Sequence, residues 1–411
     1  MIARSESWYL RADPMRIASA AAAGIAVFAL GWVLLHTGPF ASARIVDTGT
    51  YQEYGDAMTD GQVPYRDFSL EYPPGALPVF LLPSLGPGDD YVGLFELLML
   101  TCGAALVGFV AAGLAARRVP PVRLAAGVGL AALSPLLLGP LLLSRFDLWP
   151  AALTAGALAA LLAGRPKLGL GVLGVAVAAK IYPLALLPLI ALYLWRRRGP
   201  RETFVALAVF AAVVVAIVGP FAVLAPHGLW ESVTRQTDRP LQLESLGSSV
   251  LLVGHRLHMY DPTIVTTYGS QNLAGGLPDG LATLQSVLQA LAIALVWILF
   301  ARSSRTADQL VAACAASVAA FVAFGKVLSP QFLVWLVPVV ALAAGRRWAL
   351  SGGLCAAVLV VTQLWFPYHY WNITSLQPVV WLVLLRDVLL VALFAALVLL
   401  TRREPEPRGS P

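Results

Sequence analysis

Three polar notches interrupt apolar sequence in this chain: Ser144-Arg145-Phe146-Asp147, Lys180-Ile181-Tyr182-Pro183, and Lys326-Val327-Leu328-Ser329-Pro330-Gln331. Only three lysines occur in the whole chain, and two of them stand in these notches beside a proline. A cation at membrane depth is costly and marks function by default. There it offers charge-assisted donors to an anion such as a phosphate. The same groups also snorkel to an interface or pair structurally, as Arg145 could with Asp147. Proline removes a backbone donor and opens a helix, and such breaks are tolerated in a membrane only where backbone lines a cavity or is buried in protein.

Carboxylates collect elsewhere. The segment 37–90 carries them from Asp47 to Asp90, and the segment 224–280 carries Glu231, Asp238, Glu244, Asp261 and Asp279. In the first, residues 50–60 form an expected interfacial helix with Tyr51, Tyr54 and Met58 on one face and Glu53, Asp56 and Asp60 elsewhere. The runs Gly61-Gln62-Val63-Pro64-Tyr65-Arg66-Asp67 and Glu71-Tyr72-Pro73-Pro74-Gly75 follow. In the second, Arg235, Arg239 and Glu244 surround an amphiphilic stretch, and Ser245–Val253 is expected as a short helix dipping into the surface. His255 and His258 flank Arg256 without a third ligand, so no metal is expected there. Trp365, Tyr368, Tyr370 and Trp371 read as an aromatic belt at the membrane interface; aromatics also stack on sugars. Asn372-Ile373-Thr374 matches a glycosylation sequon, which is discounted.

The elements that must position these residues follow from composition. Of 411 residues, 59% are apolar and 12% charged, with mean hydropathy +0.77. A soluble domain holds about 25% charged residues. A soluble enzyme, a nucleic-acid binder and a disordered chain are therefore excluded. Apolar runs predict spans near 17–36, 91–116, 124–141, 148–163, 168–180, 183–196, 203–223, 281–301, 307–325, 331–344, 348–366 and 377–400. The first run lacks a well-placed cleavage site and reads as a retained anchor. Cys102, Cys314 and Cys355 sit in apolar runs and imply no disulfide framework. The balance of 25 Arg to 3 Lys suggests a GC-rich bacterial genome.

Loop charge orients the spans. One side gathers Arg4, Arg11, Arg16, Arg117, Arg118, Arg123, Arg165, Lys167, Arg196, Arg197, Arg198, Arg201, Arg302, Arg305, Arg346, Arg347, Arg402, Arg403 and Arg408. By the positive-inside rule that side is cytoplasmic and holds both termini, including the tail 401–411. Segments 37–90 and 224–280 then face outward. There is no Walker A loop, dinucleotide fingerprint, Asp-x-Asp motif or His/Cys cluster. Nucleotide-dependent chemistry does not suit the outer face, so an activated substrate there should be lipid-borne or already exported.

These features together resemble glycosyltransferase family 87, of the GT-C membrane glycosyltransferases. The matching elements are Asp47 to Tyr54 after the first span, the Gly61–Tyr65 turn, Tyr72-Pro73-Pro74 and Arg145-Phe146-Asp147. Lys180-Ile181-Tyr182-Pro183, Arg239-Pro240-Leu241-Gln242-Leu243-Glu244-Ser245, and Lys326 with Ser329-Pro330-Gln331 complete the set. The resemblance implies an all-α polytopic membrane protein, a single GT-C-like bundle of about 12 transmembrane helices over 1–411, with short interfacial helices in two long extracytoplasmic loops. It also implies transfer of a sugar, mannose before arabinose, from a polyprenyl-phosphate donor to a glycolipid or glycan acceptor in the bacterial plasma membrane, as in actinobacteria. Inversion in one displacement is expected, with no cofactor and no nucleic-acid partner. Asp47 matches the family's base, although it also stands where a helix cap would. Asp56 is the alternative base. Lys180, Lys326 and Arg145 are candidates for the donor phosphate by their charge-assisted donors, and Tyr182 and Gln331 could hydrogen-bond sugar or phosphate. Tyr72, Asp147, Arg239 and Glu244 are left between acceptor-binding and structural roles. The rival reading is a secondary transporter or lipid flippase, which shows twelve spans and paired broken helices. Its two breaks, however, do not occupy equivalent positions in two halves of this chain. A polymerase or ligase of lipid-linked glycans shares the same membrane layout.

Overall fold

A computed structural model describes residues 14–41, 45–87, 90–343 and 348–401. Arg4, Arg11, Asp89, Arg346, Arg347, Arg402, Arg403 and Arg408, with the tail 402–411, lie outside the described residues.

Helix occupies every apolar run marked by the sequence. Among the described residues, five helices are long and apolar enough to cross a bilayer: Pro14–Leu34, Tyr91–Ala116, Pro200–Leu224, Gly276–Ala301 and Val380–Thr401. The other apolar helices have 10–17 residues. At 1.5 Å per residue even the longest of these rises only about 25 Å, less than a hydrocarbon core of about 30 Å.

The shortness has local causes. Pro166–Ala179 stops at Lys180, whose backbone is extended (φ −159°, ψ 143°). Pro183 has no N–H to give the carbonyl of Ala179, so the helix cannot continue. The chain restarts as a 3-10 turn, Tyr182–Leu186, and then Leu187–Arg198. Ala307–Ala323 ends before Lys326, and Pro330 opens the 3-10 turn Pro330–Trp335 before Leu336–Leu342. Upstream, Ser134–Leu138 ends at Gly139, whose φ of 81° suits glycine, and Pro140–Ser144 leads to an extended Arg145.

The core lies along Ala307–Ala323, in which every residue from Leu310 to Ala320 is buried. Alanines at 312, 313, 315, 316, 319 and 320 let neighbouring backbones approach closely, the usual solution where lipid supplies no hydrophobic drive between helices. Val380–Thr401 and Gly276–Ala301 pack on it. The most apolar stretches of Pro200–Leu224 and Gly276–Ala301 are only 6% and 17% buried, so these two helices form the apolar rim.

Two segments cap one end of the bundle. The first holds the helix Thr48–Thr59, with Tyr51 buried and Glu53, Asp56 and Asp60 exposed. It continues through Pro74–Ala76 into Leu77–Ser84. Gly75 is required there: a Cβ would lie 2.5 Å from the Ala178 carbonyl carbon. The Tyr-Pro-Pro-Gly run is thereby pressed against the end of the helix that delivers Lys180.

The second segment contains Pro226–Thr237 and Leu246–Arg256, the latter where a surface helix is expected. It also holds a sheet that an all-α reading does not include. Strands β1 (Leu241–Gln242), β2 (Thr263–Thr267) and β3 (Ser270–Ala274) pair antiparallel in the order β1-β3-β2. The β-branched run Thr263-Ile264-Val265-Thr266-Thr267 favours a strand. The two-residue turn Tyr268-Gly269 has φ of 53° and 65°, as a tight hairpin of matching twist requires. Arg235 Nε lies 3.5 Å from Glu71 Oε1, and Gln236 Nε2 donates to Glu71 O at 3.3 Å, which joins the two segments.

Candidate active site

Asp47 occupies the N-cap position of Thr48–Thr59, yet its side chain makes no capping hydrogen bond. The carboxylate instead pairs with the guanidinium of Arg145. Tyr51, one helical turn on, presents its hydroxyl 3.5 Å from Asp47 Oδ2. Arg145 also donates from Nη2 to Ile45 O at 3.4 Å. Asp47 is 30% exposed in its side chain and Arg145 8%, so the pair stands at the mouth of a polar interior.

Behind it, Asp147 takes Lys180 rather than Arg145. Lys180 Nζ donates to Asp147 Oδ1 at 2.7 Å, and Trp335 Nε1 donates to the same oxygen at 2.8 Å. The alternative of a structural Arg145–Asp147 pair gives way because the two residues follow a 3-10 turn and point to different neighbours: Arg145 to the first segment, Asp147 to the Lys180 break. The Lys180 ammonium lies 4.5 Å from the Phe146 ring centroid, 5.8 Å from Tyr72, 5.2 Å from Phe332 and 5.1 Å from Trp335. Four ring faces and one carboxylate thus hold a buried cation.

A third charged group comes from the residues flanking β1 and from the last long helix. Glu244 is buried, and its backbone carbonyl accepts from Arg386 Nη2 at 2.6 Å. Arg386 Nε lies 2.8 Å from Asp387 Oδ1, and its guanidinium lies 5.4 Å from the Trp365 ring centroid. Arg239 donates from Nη2 to Tyr268 O at 3.3 Å and to Ser270 Oγ at 3.1 Å. Arg145 interacts electrostatically with both Asp147 and Glu244, and Lys180 with Arg145 and Arg239. Asp47, Arg145, Asp147, Lys180, Arg239, Glu244, Arg386 and Asp387 therefore form one charged centre, four cations against four carboxylates.

Several buried atoms in this centre have no hydrogen-bond partner among the described residues: Arg145 Nε, Asp147 Oδ2, Arg239 Nε, Gln242 Oε1 and Glu244 Oε2. Buried polar atoms are nearly always satisfied, so a cluster of open ones needs an occupant such as water or a ligand. The set mixes donors with acceptors. Acceptors match hydroxyl groups, whereas phosphate oxygens take only donors.

Burial raises the Glu244 carboxyl from its ordinary 4.5 to about 7, against the opposing pull of Arg386 and Arg239. The folded protein then retains a proton that the unfolded chain releases between about pH 4.5 and 7. Stability should fall as pH rises through that window. Glu244→Gln should flatten this slope, which thermal unfolding of both proteins at pH 5 and pH 7.5 would measure; parallel slopes would show that Glu244 does not titrate there.

Other expected site residues lie outside the centre. Lys326 Nζ donates to Thr237 O at 2.6 Å, fastening the second break to the end of Pro226–Thr237. Tyr182 is buried, stacks on Trp335 with centroids 4.3 Å apart, and bonds Thr154 Oγ1 at 2.9 Å. It supports the tryptophan that holds Asp147. Gln331 is half-buried beside Phe332. Asp56 is exposed and accepts from Ser84 Oγ at 2.9 Å. Tyr72 is in place as part of the Lys180 cage. His255 pairs with Asp261 at 3.2 Å, and no group of three metal-ligating side chains occurs among the described residues. In the aromatic run, Trp365 and Tyr370 are buried while Trp371 is 60% exposed, so only part of it faces outward. Arg386 and Asp387 escaped sequence reading, although two adjacent charges inside the apolar run 377–400 are the signal that finds them.

Residues 70–330 match the family model of glycosyltransferase family 87. Comparison with curated proteins finds no match. The matched stretch contains every member of the charged centre except Asp47, Arg386 and Asp387, and it spans more than half of the 411 residues. The chain accordingly belongs to glycosyltransferase family 87 and is a membrane glycosyltransferase.

Proposed function

We propose that the protein moves a sugar, mannose in the first instance, from a polyprenyl-phosphate donor to a glycolipid or glycan acceptor on the outer face of a bacterial plasma membrane. The observation that carries this reading is the Asp47–Arg145 pair at the mouth of the charged centre. A carboxylate that accepts protons and a guanidinium that binds phosphate are there in contact before any substrate arrives. Arg117 and Asp308 also pair a buried cation with an exposed carboxylate, but on the arginine-rich side, away from the two acidic segments.

The chemistry follows from that contact. The donor's phosphate takes Arg145 away from Asp47, which leaves the carboxylate more basic. Asp47 then removes the proton from the acceptor hydroxyl. The hydroxyl oxygen bonds to the anomeric carbon as the bond from that carbon to the phosphate oxygen breaks, with inversion. Polyprenyl phosphate leaves with the electron pair, stabilised by Arg145 and by Lys180 beyond it. Glu244, Gln242 and Arg239 bind sugar hydroxyls through their open acceptors and donor. Asp147 holds Lys180 in place. Lys326, Tyr182 and Gln331 support the two breaks rather than contact substrate, and Asp56 is the reserve base. The twelve apolar runs are read as twelve crossings, with both termini on the arginine-rich cytoplasmic side.

Membranes incubated with labelled polyprenyl-phosphate-mannose, and in parallel with the arabinose donor, test the proposal. Label should enter extracted glycolipid from the mannose donor, with release of free polyprenyl phosphate. Transfer from the arabinose donor alone would change the sugar assignment. Movement of intact donor across the bilayer without covalent change would replace the transferase reading with a flippase.

A further inference from the structure

A second concavity is lined by none of the residues of the charged centre. The last three turns of Leu187–Arg198, the first two turns of Pro200–Leu224 and the end of Gly276–Ala301 enclose an open groove of about 510 Å³. Its walls include Leu192, Trp195, Thr203, Leu207, Trp297 and Ala301. The polar atoms of two of these are already used. Thr203 Oγ1 donates to Gly199 O at 2.8 Å, and Trp297 Nε1 donates to Ala185 O at 2.9 Å. The groove therefore offers an occupant only apolar contact, and it sits on the least buried helices of the bundle.

The charge at one end decides what that occupant is. Trp195 is followed directly by Arg196, Arg197 and Arg198, and Ala301 by Arg302. Arg196, Arg197, Arg198, Arg201 and Arg302 are all exposed. Arg197 Nε donates to Arg305 O at 3.5 Å, which brings the two basic clusters together at the foot of the groove. Glu202 is the single carboxylate within 195–202 and 298–306. Trp195 packs edge-on against the exposed Phe204, centroids 5.6 Å apart, where amphipathic rings mark a headgroup level.

We infer that the groove between these three helices binds one acyl chain of an anionic phospholipid whose headgroup phosphate is held by Arg196 and Arg302. A zwitterionic lipid would fill the groove equally well but would place a choline cation among the arginines. Each arginine near an anionic lipid surface contributes about 1 kcal/mol, so two should separate the lipid classes by about tenfold or more.

The full-length protein in detergent, titrated with phosphatidylglycerol or phosphatidylcholine, gives the test by native mass spectrometry of retained lipid. Phosphatidylglycerol should be retained about tenfold better. The double variant Arg196→Gln, Arg302→Gln should lose that preference. Leu207→Trp, which fills the groove, should reduce retention of both lipids while leaving the unfolding midpoint unchanged. Equal retention of the two lipids by the wild-type protein would overturn the inference. So would a preference that survives the arginine changes, or displacement of the lipid by glycerol phosphate at equal concentration, which would reveal a bare anion site. Unchanged retention in Leu207→Trp would overturn the groove assignment, just as a preference surviving in the arginine variant would overturn the headgroup assignment.

Discussion

Asp47→Asn is expected to lower turnover by about 10²–10⁴-fold, the usual worth of a general base, while donor binding stays close to that of the wild type. The change keeps shape and hydrogen-bonding reach but removes proton acceptance. It also releases Arg145 from its ion pair. With no carboxylate competing for the guanidinium, donor affinity should hold or tighten. A base lost from the transition state alone lowers kcat and kcat/KM together. Were Asp47 only a helix cap, the same substitution would be nearly silent, since asparagine caps as well as aspartate. The absence of any side-chain capping bond in the structure already speaks against that role. Single-turnover transfer, measured beside binding of a non-transferable donor analogue, separates these outcomes. Wild-type turnover in the variant would remove Asp47 from the mechanism and bring Asp56 forward.

The second large effect is expected at Lys180. Changing it to Met keeps the apolar stem and deletes the charge, which leaves Asp147 buried with Trp335 as its remaining donor. Removing one partner of a buried ion pair costs about 3–5 kcal/mol, because the other charge is left uncompensated. The unfolding midpoint should drop accordingly. Donor affinity should also weaken, since a buried charge-assisted hydrogen bond contributes about 1.5–3 kcal/mol. The double variant Lys180→Met, Asp147→Asn distinguishes the two consequences. Neutralising both partners should restore most of the stability. If Lys180 stabilises the departing phosphate, turnover should remain low. Recovery of stability and turnover together would show that Lys180 serves only to hold the fold.

Much of the architecture was legible before any coordinates. Apolar runs, prolines and loop charge are local signals, and a membrane sharpens them by forbidding unsatisfied backbone in lipid. The runs marked by hydropathy are helical, the breaks at Lys180 and Lys326 fall beside their prolines, and the short helix after Asp47 lies where its spacing puts it. The residue types in the notches likewise announced a place where cations and carboxylates meet. The hairpin at 263–274 was written just as locally, in a β-branched run and a Tyr-Gly turn.

Pairing was a different matter. Asp147 is two residues from Arg145, and adjacency suggested that they neutralise each other; in the fold Asp147 meets Lys180, and Arg145 meets Asp47 across about a hundred residues of chain. Lys180 and Lys326 look alike in sequence, each a lysine before a proline at a helix break. One is buried in an aromatic cage, while the other closes onto the last carbonyl of Pro226–Thr237. Glu244 and Arg386 stand 142 residues apart and meet only because the helix Leu246–Arg256 packs against the last long helix. The sequence by itself determined where helices run and break and which kinds of charge are present, because those depend on near neighbours along the chain. Only the tertiary structure decided which charge faces which. An ion pair in a low-dielectric interior is set by a few ångströms of separation between elements distant in sequence, and no periodicity or spacing encodes that distance.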